Sequence, residues 1–183
     1  MEQEFSPRRC KDTRKPPADQ CPEVAFYRCP ACKALYPVTG GKDLENKQIQ
    51  CCGHMAERLI PTPAASAADI MAVSYEITGG YNDNTVRVSW KSKPYGRRPE
   101  WVYLKTFTGG YLKYVSDTKR PPLAFALADT DAFCYCDEDP CLECVFRCKR
   151  GFIIYVYDPE AGLIEMPLDK MTAHWQSGGK KPV

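Results

Sequence analysis

The segment YRCPACKALYPVTGGKDLENKQIQCCGHM, residues 27–55, contains two pairs of cysteines separated by turn and strand residues. Cys29 and Cys32 have the spacing of a metal-binding knuckle, in which two intervening residues allow both sulfurs to face one ion. Cys51 and Cys52 supply the second pair, and four thiolates suit tetrahedral Zn²⁺ or a mononuclear iron centre. The sequence therefore predicts one metal site with these four ligands. The alternative is two redox-active thiol pairs, or cysteines with a structural role only.

The residues around these cysteines, 21–62, are expected to form a small β module. Short strands at Ala25–Arg28 and Leu35–Val38 flank the Cys-Pro-Ala-Cys turn, and Gln48–Cys51 is expected to pair with Arg58–Ile60 as a hairpin. A unit of this size cannot bury enough apolar surface to be stable alone. We therefore expect the metal to act as a staple for the module.

The remainder of the chain is predicted to form a β-sandwich over residues 67–175. Short runs rich in β-branched and aromatic residues alternate with turn signals about every ten residues. The predicted strands are Val73–Ile77, Thr85–Trp90, Trp101–Phe107, Gly110–Val115, Leu123–Leu127, Gly151–Tyr157 and Gly162–Met166. Before them we expect a linker at Pro61–Ser66 and a helical turn at Ala67–Ala72. Residues 1–20 are predicted to be a flexible arm and residues 176–183 a disordered tail.

The cysteine segment resembles the N-terminal module of desulfoferrodoxin, which is also the fold of desulforedoxin. The residues that carry the likeness are Tyr27, Arg28, Cys29, Cys32, Gly40, Gly41, Cys51, Cys52 and Gly53. The resemblance implies an iron ligated by the four cysteine sulfurs. The stretch before Cys51 is longer than is usual in the family, which enlarges a loop and leaves the ligands intact.

A weaker likeness continues through the β region to about residue 136. Gly79-Gly80-Tyr81, Lys93-Pro94, Trp101 and Pro122–Ala126 occur in the order found in the second domain of the family. That domain is an immunoglobulin-like sandwich that carries the superoxide-reducing iron. The resemblance therefore implies a mainly β protein, with a rubredoxin- or desulforedoxin-like metal module followed by an immunoglobulin-like β-sandwich.

The histidines that ligate the superoxide-reducing iron in that family are absent from this chain. That site uses four histidines and one cysteine, whereas this chain has two histidines, His54 and His174. Lys93-Pro94 stands where the family has a His-Pro ligand pair, and Arg97-Arg98 stands near the next histidine. The family's site ends with a Cys-x-x-His pattern. In this chain Cys136 takes the position of the cysteine, and Asp139 takes the position of the histidine. The ordinary superoxide reductase centre is therefore expected to be lost.

The basic residues at the replaced positions could themselves form a binding surface. Lys93, Arg97 and Arg98 would make this region attractive to an anion or to an acidic partner. The alternative is a loop that has become solvated and has no binding role.

A second group of cysteines lies in residues 133–151, FCYCDEDPCLECVFRCKRG, which the family resemblance does not explain. Cys136, Cys141, Cys144 and Cys148 would form a second four-sulfur set, with Cys134 as the alternate ligand. Zinc or a [4Fe–4S] cluster would suit such a set. The alternatives are one or two disulfides with a free thiol, or a redox-active dithiol.

Composition narrows the class of protein. Eleven cysteines in 183 residues, an odd number, favour metal binding in a reducing compartment over complete disulfide pairing. The polar N-terminus and the lack of a long apolar run predict a cytoplasmic protein without a membrane span. The net charge of +2 is segregated into a basic stretch, Arg87–Arg120, and an acidic one, Pro121–Val145. This segregation suits a protein partner and disfavours nucleic acid.

The sequence alone is compatible with three functions. The first is an electron-transfer protein with iron in the cysteine module, acting with a redox partner protein. The second is a zinc-stapled scaffold or a subunit of a larger complex, and the third is a diverged superoxide reductase with other ligands. A homodimer is also open, because desulforedoxin-like modules pair readily. No nucleophile–base pair, phosphate loop or carboxylate dyad points to another enzyme class.

Overall fold

The computed structural model describes residues 22–41, 43–79, 83–128, 131, 149 and 151–168, and the structure is mainly β. The strands of this part of the chain are β1 (Val24–Arg28), β2 (Leu35–Thr39), β3 (Gln50–Cys51), β4 (His54–Met55), β5 (Glu57–Leu59), β6 (Pro61–Pro63), β7 (Met71–Gly79), β8 (Asp83–Ser92), β9 (Trp101–Lys105), β10 (Gly110–Tyr114), β11 (Leu123–Ala128), β12 (Ile153–Asp158) and β13 (Gly162–Pro167). A helix α1 (Ala64–Ala67) and a 3₁₀ turn (Leu44–Asn46) accompany them. None of the described helices is long and apolar enough to cross a lipid bilayer.

Two sheets form the predicted sandwich. One has the strand order β10-β9-β12-β13-β6 and the other has the order β11-β8-β7. All neighbouring strands are antiparallel except β13 and β6, which run parallel. Each predicted sandwich strand is present, with its bounds moved by at most two residues. The fold class predicted from the sequence is therefore confirmed.

Alternating burial on the smaller sheet directs its apolar side chains towards the larger sheet. In β11, Leu123, Phe125 and Leu127 are buried, whereas the alanines between them are exposed. This is the period of two that a strand with one buried face requires. These side chains pack with residues of β9 and β12, such as Val102 and Ile154, in one hydrophobic core.

The central strands of the larger sheet, β9 and β12, are buried on both faces, because a third layer covers the face that points away from the smaller sheet. Every residue of β9 is buried, so that its side chains enter two different cores. Trp101 and Tyr103 of β9 and Tyr155 and Tyr157 of β12 surround Phe26 of β1. Phe26 is 1% exposed, and its ring centroid lies 5.1–5.2 Å from those of Trp101, Tyr103 and Tyr155. The sheet with the order β2-β1-β5 is thus docked on the sandwich through aromatic packing.

Two ion pairs accompany this aromatic contact. The Nζ atom of Lys105, a buried residue, lies 2.7 Å from Oε1 of Glu23. Nη2 of Arg28 lies 2.8 Å from Oε2 of Glu100, and the guanidinium of Arg28 stacks 4.6 Å from the ring centroid of Tyr157. Both pairs join the cysteine-bearing sheet to the sandwich, so the two layers are linked by polar as well as apolar contacts.

Three predictions about residues 48–72 were wrong. Gln48–Cys51 does not pair with Arg58–Ile60, because β3 pairs with β4 and β5 pairs with β1. Residues Pro61–Pro63 are not a linker, since they form β6 and extend the larger sheet next to β13. The short helix lies at Ala64–Ala67, earlier than the predicted Ala67–Ala72. These differences arise from pairings between distant strands, which local residue patterns do not specify.

Candidate metal centre

The first cysteine pair lies in the connection between β1 and β2. The backbone N–H of Lys33 donates to the carbonyl of Cys29 at 3.0 Å, and the N–H of Cys29 donates to the carbonyl of Ala34 at 3.0 Å. Lys33 adopts a left-handed conformation with φ +63°, which turns the chain back into β2. This tight turn holds Cys29 in the interior and leaves Cys32 exposed.

The second cysteine pair lies in the hairpin between β3 and β4. Cys51 pairs with His54 across the hairpin, so Cys52 and Gly53 form a two-residue loop. Both loop residues have positive φ, +53° and +76°, as in the tight turns that join antiparallel strands. The change of backbone conformation between Cys51 and Cys52 lets adjacent side chains converge, which explains how neighbouring residues can both face one ion.

The four sulfur atoms converge on one point. Their Sγ atoms all lie within 4.8 Å of one another. The Sγ atoms of Cys32 and Cys51 are 3.5 Å apart, and those of Cys51 and Cys52 are 3.8 Å apart. Sulfurs at the corners of a tetrahedron, each about 2.3 Å from a central ion, would be separated by about 3.8 Å. The four thiols are free, so the cluster has the donor type and spacing to hold one metal ion.

The centre is closed on one side and open on the other. Cys29 is fully buried and Cys51 is half-buried, whereas Cys32 and Cys52 are exposed. His54 follows the second pair on β4 and is also exposed. The site therefore lies at the surface of the module, where two of its sulfurs can approach another molecule.

The thiols affect one another's ionisation. A hydrogen bond from the backbone N–H of Ala34, helped by the neighbouring cysteines, lowers the pKa of Cys32 to about 7. Hydrogen bonding and charge repulsion from Cys32 and Cys51 raise the pKa of Cys52 to about 12. Closely spaced thiolates thus disfavour each other, and a cation bound among them would remove this repulsion.

Tyr36 is a residue of the site that was not predicted from the sequence. It lies on β2 directly opposite Tyr27 of β1. Interaction with the thiol of Cys51, followed by burial, raises the pKa of Tyr36 to about 12. For Cys51 the interaction with Tyr36 lowers the pKa, but the interactions with Cys32 and burial outweigh it, so the pKa of Cys51 is raised. A tyrosine at this position has no spacing signal that distinguishes it from an ordinary strand residue.

Tyr27 has a different role, although the family resemblance includes it. Its hydroxyl donates to the carbonyl of Leu44 at 2.5 Å and accepts a hydrogen bond from the backbone N–H of Lys47 at 3.1 Å. Tyr27 and Leu44 are both buried. Tyr27 thus stabilises the long loop that leads to the second cysteine pair.

The three basic residues that were predicted to bind an anion have carboxylate partners within the chain. Arg97 pairs with Asp158 and with Glu160. Arg98 pairs with Asp117 at 2.8 Å. The exposed Lys93 lies 3.8 Å from Asp69, also exposed. Binding of an external anion by Lys93, Arg97 and Arg98 stays a prediction.

We expect replacement of Asp158 by asparagine to destabilise the protein and to weaken its sensitivity to acid. Asp158 is 1% exposed and accepts hydrogen bonds from Arg97 and from the backbone N–H groups of Glu160 and Ala161. Burial opposes ionisation of Asp158, but the hydrogen bond from Arg97 and those from the backbone outweigh it and lower its pKa below 3.8. This stability is present at neutral pH and is lost as the pH falls through the lowered pKa.

Urea unfolding between pH 2 and 7 would measure this effect. The control is Asp69→Asn, which removes an exposed carboxylate that lies 3.8 Å from Lys93. If Asp158→Asn and Asp69→Asn gave the same loss of stability at pH 7, the proposed role of the buried pair would be wrong.

The second predicted cysteine set lies outside the described residues, as do His174, the N-terminal arm and the C-terminal tail. The cysteines of this set are Cys134, Cys136, Cys141, Cys144 and Cys148. Among the residues that the structure does describe, the group Cys29, Cys32, Cys51 and Cys52 is the one cluster that could hold a metal ion.

The fold and the site together define a mainly β protein with a four-cysteine cluster capable of binding a metal ion. No family model matches the chain, and no curated protein matches it. Among solved structures, the chain is similar to the superoxide reductase from Treponema pallidum, with 14% sequence identity and a TM-score of 0.49. The likeness covers 79% of this chain and 98% of that one.

Proposed function

We propose that this chain is a desulfoferrodoxin-related non-haem iron protein that transfers single electrons and lacks the four-histidine superoxide reductase centre. The observation that carries the proposal is the convergence of four cysteine sulfurs at the spacing of a tetrahedral centre. The sequence pattern around Cys29, Cys32, Cys51 and Cys52 supports iron as the metal.

The donor set supports electron transfer rather than catalysis at this metal. Catalytic metal sites keep a ligand position open for water or substrate, whereas a site with four protein ligands is closed. Four thiolates would fill a tetrahedral centre. Electrons can nevertheless pass through the exposed sulfurs of Cys32 and Cys52. A diverged superoxide reductase is disfavoured, because the family's catalytic iron has four histidine ligands. This chain has two histidines, and one of them, His54, lies in the metal module.

A zinc-stapled scaffold is the second candidate, and the small size of the core of the module favours it. The buried residues of this core are Ala25, Tyr27, Leu44 and Ala56, which together supply little apolar surface. A metal held by four cysteines would stabilise such a unit whether or not it is redox-active. In this case the protein would serve as a subunit of a larger complex.

Several features that the sequence predicted belong to the same proposal. The division into a module at residues 21–62 and a sandwich at residues 67–175 stays a proposal, in which β6 passes from the module into the larger sheet and the contact around Phe26 joins the two units. A second zinc or [4Fe–4S] centre at Cys136, Cys141, Cys144 and Cys148, with Cys134 as the alternate, is proposed on sequence alone. So are a redox partner protein, a homodimer and a cytoplasmic location.

Elemental analysis and absorption spectroscopy of anaerobically purified protein would test the metal and its redox role. We expect about one iron per four-cysteine module and a visible thiolate-to-iron charge-transfer band that bleaches on chemical reduction. A colourless protein that contains zinc would favour the scaffold. A metal-free protein that takes up neither iron nor zinc would contradict both candidates.

The second cysteine set can be tested in the same preparation. Cys144→Ser should remove a second metal, if one is present, and leave the metal of the four-cysteine module in place. An unchanged metal content in Cys144→Ser would argue against a second centre, while the proposal for the first would stand.

A further inference from the structure

Cys32 combines exposure to solvent with a close sulfur neighbour on a different hairpin. It is exposed in the turn between β1 and β2, and its Sγ atom lies 3.5 Å from that of Cys51, a half-buried residue at the end of β3. Redox-sensitive cysteines are typically exposed and lie beside a second thiol that resolves the first oxidation product. Cys32 and Cys51 have this arrangement, and both are free thiols.

The turn that carries Cys32 also carries a positive charge. Lys33 is exposed and follows Cys32 directly, and its Nζ atom donates a hydrogen bond to the carbonyl of Pro30 at 2.6 Å. This bond keeps the ammonium group within the turn. A small disulfide that bears carboxylates, such as oxidised glutathione, would be attracted to the same turn.

Two other pairings within the cluster are disfavoured. Cys29 is 0% exposed, and its thiol donates to the backbone carbonyl of Cys51 at 3.6 Å. Cys51 and Cys52 are adjacent, so their Cα atoms are about 3.8 Å apart, whereas the Cα atoms of disulfide-bonded cysteines are usually about 4.4–6.8 Å apart. The contact between Cys32 and Cys51 joins residues that are distant in sequence, so this limit does not apply to it.

We propose that Cys32 and Cys51 form a site of thiol–disulfide exchange with small disulfides such as oxidised glutathione, and that formation of their disulfide releases the bound metal. This inference rests on the metal site of the proposed function. The Cys32 sulfur attacks one sulfur of oxidised glutathione and expels a glutathione thiolate. The Cys51 sulfur then attacks the Cys32 sulfur of this mixed disulfide and expels the second glutathione. The two cysteines lose two electrons, oxidised glutathione gains them, and each expelled thiolate takes a proton from solvent.

The disulfide would join the same two segments that the metal joins, the β1–β2 turn and the β3–β4 hairpin. The buried core of the module is small, so loss of the metal without a new link would leave these segments weakly held. A covalent link restricts the unfolded chain and thereby stabilises the folded one. The oxidised module should therefore stay folded and bind metal again once the disulfide is reduced.

Anaerobic incubation of the metal-loaded, full-length protein with oxidised glutathione would test the exchange. A chromophoric chelator would measure metal release relative to a sample without glutathione. Mass spectrometry after thiol blocking and trypsin cleavage would measure a cross-link between peptides 29–33 and 48–58. We expect metal release and cross-linking to follow the same time course, with one cross-link for each metal ion released. Dithiothreitol and added metal should reverse both.

Two matched variants identify the partner of Cys32. Cys51→Ser and Cys52→Ser each remove one ligand from the same hairpin, and each leaves one cysteine in peptide 48–58. Both would be compared as reduced proteins from which the metal has been removed, so that a difference in metal affinity does not affect the result. Cys52→Ser should form the cross-link, whereas Cys51→Ser should form at least about tenfold less of it, because exchange depends on which sulfur is within reach.

The outcomes separate this inference from the proposed function. If the wild-type protein binds iron but oxidised glutathione gives no cross-link, or if Cys51→Ser forms as much cross-link as Cys52→Ser, the exchange site is wrong and the iron site stands. A reduced wild-type protein that takes up neither iron nor zinc would overturn both. Metal release that parallels cross-linking, together with loss of the cross-link in Cys51→Ser, supports the proposal.

Discussion

Replacement of Cys29 by serine is expected to reduce metal affinity at the four-cysteine site by more than 100-fold. Cys29 is the fully buried member of the cluster, so solvent cannot supply a substitute ligand from its side. A serine hydroxyl is a poor ligand for zinc or iron in a sulfur site, where soft thiolates are preferred. Mutation of a residue that only hydrogen-bonds to a metal ligand typically lowers metal affinity by about 10–100-fold. The loss of a ligand itself should lower it more.

Competition with a chromophoric chelator would measure the affinity of Cys29→Ser. The matched control is Ala31→Ser, which introduces the same side chain into the same turn at an exposed position and removes no sulfur. Ala31→Ser should bind metal as the wild-type protein does. Equal affinities for Cys29→Ser and the wild-type protein would show that the four sulfurs do not act as one ligand set.

The ligand set was predictable because the spacing of metal-binding cysteines is a local property of the chain. Two residues between Cys29 and Cys32 are sufficient to form the knuckle, whatever the rest of the fold. The sequence placed Cys51 at the end of a predicted strand but did not specify how the adjacent Cys52 could face the same ion. The structure resolves this with a two-residue turn at Cys52 and Gly53, in which positive φ re-aims the second side chain.

The sandwich strands were predictable for the same reason, since β-branched and aromatic runs between turns are also local. The pairing of β5 with β1 and the inclusion of β6 in the larger sheet were missed, because they depend on contacts between distant segments. The sequence did carry a sign of the third layer. The run WVYLK at Trp101–Lys105 is largely apolar without alternation, as expected for a strand buried on both faces.

The docking of the cysteine module on the sandwich leads to the second large effect, which concerns Phe26. We expect Phe26→Ala to lower the free energy of unfolding by about 3–5 kcal/mol, the usual cost of removing a buried phenylalanine ring. The ring is 1% exposed and contacts Trp101, Tyr103 and Tyr155, so its loss would leave a cavity between the two layers. Urea unfolding followed by tryptophan fluorescence would measure the change.

The control is Tyr95→Ala, which deletes a similar ring that is 97% exposed and should cost little. If the module and the sandwich were independent units, Phe26→Ala would leave the unfolding midpoint of the sandwich close to that of Tyr95→Ala. Because Trp101 and Tyr157 stack on each other beside Phe26 and Arg28 binds Glu100, we expect instead that the sandwich loses stability with the module. Metal-free protein should show the same difference between the variants, since the aromatic contact requires no metal ligand. The aromatic layer would then hold the module on the sandwich, and the metal would stabilise the hairpins that carry the cysteines.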